Sequence, residues 1–497
     1  MKNISYLDMI KELLPESEFL QFQKCYNNPI KKSVKIISHR WFNSNANLRE
    51  VVTSSLSKER NLSEPKFSYK WNKYNDVLFA TRKENFGNAS LWSYYLHQAW
   101  LIYVQEMAAS LSVQMLWVNR WDAVLDMCAA PWWKSIQIAD QLIDWFLISN
   151  EIDSWRKKAL ESNLHRCWVY NVWVIQQDWR VIWDKSPEIF DKVLVDAPCS
   201  WEWMQYKSDK KVWQWNEKKS RDLLKLQIDL LISWLKSLKV WGELVYSTCT
   251  TNVLENEYVI SEVLKKYWDK IELLDVPLDE KSVGINKWNW EEILSLEYAK
   301  KVARLWPHVH QTWWFFIAKF RKLGHLSNKN DVIDISVVDW DSFLGTWDRN
   351  GDFLDKLHQE AVNQLSKWWI SFDKSSLWLF VSKYTINVSV RKLLDKCFEN
   401  IFNNIDIWLP IFKIVDDNKF KWKKLIPLIW ISQVFWNIAN NNVLEIDDDQ
   451  LKLLMEKRDL VDERLRVFDN EYVLLRWNWV WVWLISVKWW VWKNKCF

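Results

Sequence analysis

The chain has 497 residues, of which 49% are hydrophobic and 26% are charged, so it is too long for one core and too apolar for disorder. Its 67 basic residues nearly balance its 63 acidic ones, and such a balance does not by itself indicate nucleic-acid binding. Seven cysteines without a CxxC pair or zinc spacing favour a reducing compartment and no metal site. We therefore expect two or three domains, a cytoplasmic location, and neither a signal peptide nor a membrane span.

The glycine and tryptophan counts are abnormal. Average usage gives about 7% Gly, roughly 35 residues in a chain of this length, yet there are 6 Gly and 42 Trp. Tryptophan stands where turns and helix ends need glycine, as in LKVWGELV, APWWKS and VKWWVWKNK. We infer that many Trp letters represent glycines from a genetic code that reads UGA as Gly. The alternative is a Trp-rich surface for carbohydrate or membrane-interface contact, with its aromatic side chains on one face of regular elements.

Four regions follow one another along the chain. Residues 1–115 begin with helical patterning and a basic stretch, and they predict an accessory binding lobe. In residues 116–322, apolar strand-like runs alternate with helical segments, from AVLDM to ELVYSTC. Residues 323–352 form a polar linker, and residues 353–497 predict a small β-rich module that ends in two short strands around a turn.

The alternation in the second region predicts an α/β fold with a doubly wound, largely parallel sheet. Such sheets bind ligands outside the carboxyl ends of their strands, and three acidic residues follow successive strands there. Asp126 closes the strand before APWWKS, which becomes APGGKS if Trp132 and Trp133 are glycines. Glu151 ends the next strand and Asp178 the third. A single strand-end acid is most often a helix cap, but the series indicates a nucleoside cofactor.

Two cysteines lie just past strand ends and should face the same crevice. Cys199 lies in VLVDAPCS and Cys249 in ELVYSTCT. A thiol beside a helix N-terminus can have its pKa lowered towards the thiolate, which attacks carbon, so Cys249 is a candidate nucleophile. The other cysteines are interpreted as small buried hydrophobes or, at the tail, as a bystander: Cys25, Cys128, Cys167, Cys397 and Cys496.

With glycine restored in brackets, the motifs AAP[GG]KS, DAPCS[G]E[G]M, ELVYSTCT with ENE, and RLWPHVHQT[GG]FF resemble RNA cytosine-5 methyltransferases of the Sun class. The segment YVQEMAASL and the C-terminal module are most similar to the bacterial RsmF branch, which acts on small-subunit ribosomal RNA. The resemblance covers nearly the whole chain. Trp215 and Trp306 fall where this family itself carries Trp, so we expect those two to be genuine.

The resemblance implies a mechanism and a cofactor. C5 of cytosine is a poor nucleophile, so a thiolate at Cys249 adds to C6 before the methyl group moves from S-adenosylmethionine. Asp196 then holds the cytosine and touches the cofactor, Cys199 assists release, and Lys134 contacts the base or the cofactor carboxylate. The target nucleotide must be flipped or single-stranded. The implied cofactor site comprises Cys128, Ala129, Ala130, Pro131, Trp132, Trp133, Lys134, Glu151, Asp178 and Asp196.

The implied fold is a Rossmann-like methyltransferase domain between an N-terminal RNA-binding lobe and a C-terminal α+β module similar to PUA domains, in a monomer. RNA affinity is expected from three basic groups: Lys31, Lys32, Lys35 and Arg40; Lys419, Lys421, Lys423 and Lys424; and Lys488, Lys493 and Lys495. Each group could instead be an ordinary solvated loop.

Two other functions stay open. A catalytically silent RNA-binding assembly factor would be favoured if every Trp letter were genuine, because two indoles would block the APWWKS turn. The other is a DNA or tRNA cytosine-5 methyltransferase. DNA enzymes of this chemistry use the cysteine of a Pro-Cys motif, here Cys199, so the Thr-Cys motif at Cys249 favours RNA.

Overall fold

The structure is a computed structural model. It describes residues 6–26, 32–37, 67–71, 77–82, 97, 102–130, 133–142, 146–167, 169, 171–178, 188–200, 217–279, 281–288, 290–310, 312–326, 377–381, 385–390, 409–417, 422–427, 443–455, 462–468, 472–477, 480–488 and 491–492.

The N-terminal region combines two helices with a small antiparallel sheet. Its elements are α1 (Tyr6–Leu13), α2 (Glu16–Tyr26), β1 (Lys32–Ile36), β2 (Phe67–Trp71), β3 (Val77–Arg82) and β4 (Ile102–Val104). The strand order is β2–β3–β1–β4. Apolar residues of both helices pack around Phe22, together with Trp306 and Trp314 from the end of the next region. Both helices therefore bury apolar residues against that region.

The central region follows the alternation expected from the sequence. Its helices are α3 (Met107–Leu116), α4 (Trp133–Ala139), α5 (Ser154–Arg166), α6 (Glu217–Ser237), α7 (Glu257–Tyr267), α8 (Leu296–Lys301) and α9 (Pro307–His310). Its strands are β5 (Val124–Asp126), β6 (Leu147–Asn150), β7 (Val172–Ile175), β8 (Phe190–Asp196), β9 (Leu238–Thr248), β10 (Ile271–Leu274), β11 (Lys287–Trp288), β12 (Glu291–Glu292), β13 (Ala303–Leu305) and β14 (Phe315–Lys322).

The strand order of the central sheet creates a crevice beside β5. The order is β10–β14–β9–β8–β5–β6–β7, with β13 paired to β14. The chain runs outward from β5 through β6 and β7, then returns to the other side of β5 for β8 and β9. The reversal between β5 and β8 is a topological switch point, where open α/β sheets bind ligands at the carboxyl ends. Asp126 and Asp196 end the two strands that flank it.

The sheet is mixed rather than largely parallel, which corrects the expectation from sequence. Strands β5 to β9 are parallel neighbours. Strand β14 pairs antiparallel with β9, and both β10 and β13 pair antiparallel with β14. The alternation of strand and helix continues through α7 to β10, but β14 then returns antiparallel between β10 and β9 after the shorter elements β11 to β13, α8 and α9. These antiparallel strands extend the sheet on the side away from β7.

The central core explains why these strands read as continuous apolar runs. All four residues of β6 and all four of β7 are buried, as expected for parallel strands covered by helices on both faces. Between them, α5 begins at Asp153, whose carboxylate accepts a hydrogen bond from the Arg156 backbone N–H at 2.8 Å. That cap satisfies an N–H that the helix itself leaves unpaired.

The C-terminal region contains two further sheets among the described residues. Its elements are β15 (Leu377–Val381), β16 (Thr385–Val390), β17 (Leu409–Asp417), β18 (Trp422–Pro427), β19 (Val443–Ile446), α10 (Asp448–Met455), β20 (Tyr472–Trp477), β21 (Val480–Lys488) and β22 (Val491–Trp492). Strands β15 to β18 form an antiparallel sheet, and β19 to β22 form the other. Lys488 pairs with Val491, and residues 489–490, where the sequence predicts the turn between two short strands, lie outside the described residues.

Tryptophans occupy backbone conformations that favour glycine. Of the four non-glycine residues with positive φ in the described ranges, three are Trp117, Trp241 and Trp290, at 50°, 70° and 68°. Side chains with a Cβ are strained in this left-handed region, whereas glycine is not. Trp117 also ends α3, at the place where a helix most often has glycine.

Trp306 behaves differently from these three. Its side chain is buried and contacts Phe22 edge-on, with ring centroids 6.2 Å apart. The guanidinium of Arg304 lies 5.5 Å from its ring centroid. A large aromatic side chain thus fills a packed site at this position.

No helix within the described segments is both long and apolar enough to span a membrane.

Candidate active site

The turn after β5 is fixed by a buried acid at the end of the strand. The Asp126 carboxylate accepts a hydrogen bond from Ser135 Oγ in α4 at 2.6 Å. Burial raises the pKa of Asp126 to about 7, against the opposing effects of Ser135 and Lys134. The backbone N–H of Ala129 donates to the Asn150 carbonyl at 3.0 Å, which ties the same turn to β6. This turn is therefore held from both sides.

Trp133 lies at the start of α4 and packs beside the turn. Its ring stacks on Tyr103 with centroids 5.5 Å apart and an interplanar angle of 24°. The Tyr103 hydroxyl also donates to the Trp133 carbonyl at 3.3 Å. Pro131 and Trp132, which the sequence places in the same cofactor turn, lie outside the described residues.

Glu151 and Asp178 lie at the carboxyl ends of β6 and β7, as expected. Glu151 is buried and accepts a hydrogen bond from the Asp153 backbone N–H at 3.0 Å. Arg156 lies 3.4 Å from the Glu151 carboxylate and donates to the Ala130 carbonyl at 2.7 Å. Asp178 is half-buried, three residues after the end of β7.

Asn150 joins the three strand ends, a role that the sequence analysis missed. Its side-chain amide donates to the Met127 carbonyl at 3.4 Å and to the Gln177 carbonyl at 3.2 Å. Its oxygen accepts from the Gln177 backbone N–H at 2.9 Å. The signal available in the sequence was a polar residue at the end of an otherwise apolar strand. Arg156 was missed as well, because its partners lie on other segments.

A second cluster joins α4 to the ends of β8 and β9. Lys134 Nζ lies 2.5 Å from the Asp196 carboxylate and 3.3 Å from Ser247 Oγ. Ser247 Oγ donates to the same Asp196 oxygen at 3.1 Å. The Lys134 ammonium also lies 4.9 Å from the centroid of Phe315. Lys134 is buried while Asp196 is partly open, so the lysine orients a carboxylate that can still reach a ligand.

Cys199 and Cys249 are brought together, with their sulfur atoms 3.1 Å apart. Cys199 follows β8 and is buried, whereas Cys249 follows β9 and is half-buried. The two strands are parallel neighbours whose ends align at the Asp196–Ser247 pair. The expectation that both thiols lie at one edge of the sheet is therefore met by the strand register.

Two of the remaining cysteines are less buried than the sequence predicts. Cys167 is buried in the core, but Cys25 and Cys128 are half-buried. Burial, and then the neighbouring carboxylates of Glu151 and Asp196, raise the pKa of Cys128 well above its ordinary value. Cys128 is therefore expected to remain a protonated thiol. Cys397 and Cys496 lie outside the described residues.

A buried ion pair supports the Cys249 loop from behind. Arg304 on β13 donates to both oxygens of Glu257 at 2.7 and 2.6 Å, and to the Thr251 carbonyl at 2.8 Å. Planar two-point pairing of this kind fixes orientation as well as charge. The Ile285 backbone N–H donates to Glu257 at 2.9 Å. The motif residue Glu257 thus holds the arginine that fixes the thiol loop.

Two distant motifs meet at Glu106. This residue precedes α3, and its carboxylate accepts hydrogen bonds from the Thr312 hydroxyl and, at 3.1 Å, from the Trp313 backbone N–H. Burial raises the pKa of Glu106 to about 7, although those hydrogen bonds oppose the rise. The segments YVQEMAASL and HQTWWFF therefore act as one structural unit.

The basic groups expected to bind RNA are only partly described. Lys35 is buried in β1, with 6% of its surface exposed, so its placement in a solvated basic patch is wrong. Its neighbours Ser33, Val34 and Ile36 on β1 are buried as well, and the strand lies between β3 and β4 in the small sheet. Lys32, Lys423, Lys424 and Lys488 lie on strands. Lys31, Arg40, Lys419, Lys421, Lys493 and Lys495 lie outside the described residues.

The fold and the geometry of the site together indicate the class of protein. The mixed sheet, the switch point and the acids at successive strand ends are the features of a Rossmann-like methyltransferase core. A crystal structure described as a methyltransferase homolog protein from Pyrococcus horikoshii matches this chain with a TM-score of 0.51 and 27% identity. The match covers 62% of this chain and 91% of that one.

The family follows from sequence comparison. Residues 113–321 match the family described as 16S rRNA methyltransferase RsmB/F. Proteins named ribosomal RNA small subunit methyltransferase F from Photobacterium profundum and Escherichia coli O81 are each 29% identical to this chain, over 322 and 326 residues. Each match covers 64% of this chain and 63% of the relative's length. The family resemblance stated from the motifs is confirmed for the matched part of the chain, whereas the expectation that it covers nearly the whole chain is not, because these matches cover 64% of it.

Proposed function

We propose that this protein transfers a methyl group to C5 of a cytosine in small-subunit ribosomal RNA through a covalent bond between Cys249 and C6. The observation that carries the proposal is the pair of thiols, 3.1 Å apart, beside the Lys134–Asp196 ion pair at the switch point. A carbon nucleophile as weak as C5 needs such a thiolate. The RNA substrate is inferred from the relatives, whose names specify the small subunit.

The Cys249 thiolate bonds to C6 while the C5=C6 π pair moves to C5. That pair forms the new carbon–methyl bond, with S-adenosylmethionine supplying an electrophilic methyl group. A base on the Cys199 side then takes the C5 proton, the released pair restores C5=C6, and the bond between Cys249 and C6 breaks. Asp196, oriented by Lys134, holds the cytosine edge as charge develops.

The residues at this edge have the chemistry that the cofactor requires. Glu151 and Asp178 supply carboxylate oxygens for ribose hydroxyls and an adenine amine. Ala129 and Ala130 are small enough for the backbone to approach a ligand, and Asp196 lies at the neighbouring strand end. The two tryptophans at 132 and 133 are the exception, and the recoding inferred from composition removes it by placing glycine at both.

Intact mass tests the recoding directly. Protein from the native host is expected to be lighter than the mass calculated with 42 Trp, by the difference between Trp and Gly at every recoded position. A mass that matches all 42 tryptophans would overturn the inference and favour a silent RNA-binding assembly factor.

Isothermal titration tests the cofactor turn. Protein with glycine at positions 132 and 133 is expected to bind S-adenosylmethionine, whereas protein with tryptophan at both should not, because the indoles occupy space at the turn. A matched control places glycine at Trp155, an exposed residue of α5, and should leave affinity unchanged. Equal affinity of the two main versions would show that this turn does not hold the cofactor.

A denaturing gel with labelled ribosomal RNA tests the thiol roles in the natively translated protein. Cys249→Ala should form neither adduct nor product, whereas Cys199→Ala should accumulate a slowly migrating RNA–protein adduct because release stalls. Cys25→Ala, a half-buried cysteine on α2, is the control and should behave like the parent. An adduct with Cys249→Ala and none with Cys199→Ala would make Cys199 the nucleophile, as in the DNA enzymes.

A further inference from the structure

A buried carboxylate lies directly behind the two thiol loops. Glu255 belongs to a short 3₁₀ helix (Val253–Glu255) that follows the Cys249 loop. Its carboxylate accepts hydrogen bonds from the Ser200 backbone N–H at 2.8 Å, from Asn252 Nδ2 at 2.9 Å and from Gln227 Nε2 at 3.3 Å. The residue is fully buried, and its donors come from three segments of the chain.

Glu255 and Gln227 together hold both neighbours of Cys199. Gln227 on α6 donates to the Pro198 carbonyl at 2.8 Å as well as to Glu255. The residue before Cys199 is thus held by Gln227, and the residue after it is held by Glu255. Strand β8 ends at Asp196, and the Ala197 backbone N–H still donates to the Ser247 carbonyl of β9 at 2.9 Å, so the contacts from Gln227 and Glu255 hold the loop beyond that point.

The backbone of Glu255 is bonded to β9, the strand that directly precedes Cys249. The Tyr246 hydroxyl on β9 donates to the Glu255 carbonyl at 2.7 Å. Across the two loops, Ser200 Oγ and Thr250 Oγ1 lie 3.3 Å apart. Cys249 itself directly follows β9 and is supported by the Arg304–Thr251 contact. Loss of the Glu255 carboxylate removes a contact directly beside Cys199, at Ser200, whereas the contact it removes in the Cys249 loop lies three residues from the thiol, at Asn252. We therefore expect the Cys199 loop to shift more than Cys249.

We propose that Glu255, acting with Gln227, is a positioning residue that holds Cys199 against Cys249 for the release step. This inference rests on the proposed cytosine-5 methyl transfer. Glu255 does not touch the base, because it is buried and its oxygens already accept three hydrogen bonds. An ionised carboxylate accepts such bonds more strongly than a neutral amide, so the acid fixes the loop better than glutamine would.

The test measures attack and release separately in the natively translated full chain. Glu255→Gln keeps the shape but turns an amide N–H towards donors that now lack an acceptor. We expect steady-state turnover to fall roughly 10- to 100-fold, since misplacement of a catalytic group by about 1 Å can cost that much. The RNA–protein adduct should accumulate, while the single-turnover rate of methyl transfer and the KM for S-adenosylmethionine stay within about three-fold of the parent.

Two comparisons separate positioning from general damage. Combining Glu255→Gln with Cys199→Ala should give no further loss of release beyond Cys199→Ala alone, because both changes act on one step. Glu243→Gln, at a buried acid near the other end of β9, should lower stability without accumulating adduct. If Glu255→Gln fails to fold, Gln227→Leu removes the Pro198 contact and should accumulate adduct in the same way.

The inference is overturned if folded Glu255→Gln or Gln227→Leu releases product at the parent rate, or if the loss adds fully to that of Cys199→Ala. A parent protein that forms no 5-methylcytosine overturns the proposed function instead. A parent that methylates cytosine normally, beside variants that do the same, overturns the role of Glu255 alone.

Discussion

Buried carboxylates at the two ends of the central sheet have pKa values shifted in opposite directions. Near the amino ends of the strands, Glu243 contacts Lys192, Lys319 and Arg321 at 2.8 to 2.9 Å. Burial alone would raise the pKa of Glu243, but hydrogen bonds from these cations lower it to about 2. At the carboxyl ends, Asp126 has no comparable set of cations, and burial raises its pKa to about 7.

This difference in pKa suggests that Glu243 stabilises the fold, whereas Asp126 and Glu106 belong to the proposed site. Glu243 is ionised and surrounded by partners, so its burial supports folding. Asp126 and Glu106 are buried at a cost in stability at neutral pH, and both hold segments that line the proposed site. Strongly perturbed acids of that kind cluster at functional sites. We therefore expect substitutions at the carboxyl edge to affect function more than stability, and those at Glu243 to affect stability more than function.

The largest expected effect comes from Asp196 at the carboxyl edge. Asp196→Asn removes the charge that pairs with Lys134 and that holds the cytosine in the proposed mechanism. Methyl transfer in single-turnover assays should fall roughly 100- to 10,000-fold, the range for loss of a positioned acid–base group. The matched control is Asp191→Asn on the same strand, whose carboxylate pairs with Lys239 at 2.8 Å on the amino side. Equal rates for both variants would remove the distinction between the two ends.

Glu243→Gln should lower the stability of the protein and leave its affinity for S-adenosylmethionine unchanged. It leaves three clustered cations without their shared carboxylate, and breaking a buried pair in this way costs on the order of 3 kcal/mol. Urea unfolding should show the loss of stability, while titration with S-adenosylmethionine shows unchanged affinity. A variant with parental stability, or one that loses cofactor affinity, would contradict the role assigned to the amino end.

Asp126 predicts a pH dependence of stability. Because its folded pKa is raised to about 7, its contribution is fully present below its ordinary pKa near 4 and is lost as pH rises towards 7. Parental stability should therefore fall with a slope of up to about 1.4 kcal/mol per pH unit over that window from this group. Asp126→Asn should lose that part of the slope in urea titrations at several pH values. The Glu106 part should remain, and an unchanged slope would refute the assignment.

The smallest effect concerns tryptophan in the left-handed region. Trp241 has a φ of 70° and is 68% exposed, so Trp241→Gly should relieve strain and stabilise the Trp-containing protein by about 1 kcal/mol. The control is Trp268→Gly, since Trp268 is 77% exposed but has a helical φ of −51°. Glycine there should give no gain. Equal effects at the two sites would weaken the structural support for recoding.

The parts of the molecule that sequence could predict are those with local signals. Apolar runs and helical periodicity placed β5 to β9 and their crossover helices, and the strand-end rule brought Cys199, Cys249 and Asp196 to one edge. The antiparallel strands β10, β13 and β14 carried no comparable pattern. Asn150, Arg156 and Glu255 were missed because their hydrogen bonds join segments far apart in the chain. Lys35 was expected in a basic group that binds RNA, but it is buried, and the charge of a residue does not by itself show whether its side chain is exposed.

Bisulfite mapping of small-subunit ribosomal RNA tests the central claim most directly. RNA from cells with the gene should contain a 5-methylcytosine that is absent when the gene is deleted, and it should return with the parent gene but not with Cys249→Ala. Identical maps with and without the gene would contradict the proposed methyl transfer to small-subunit ribosomal RNA.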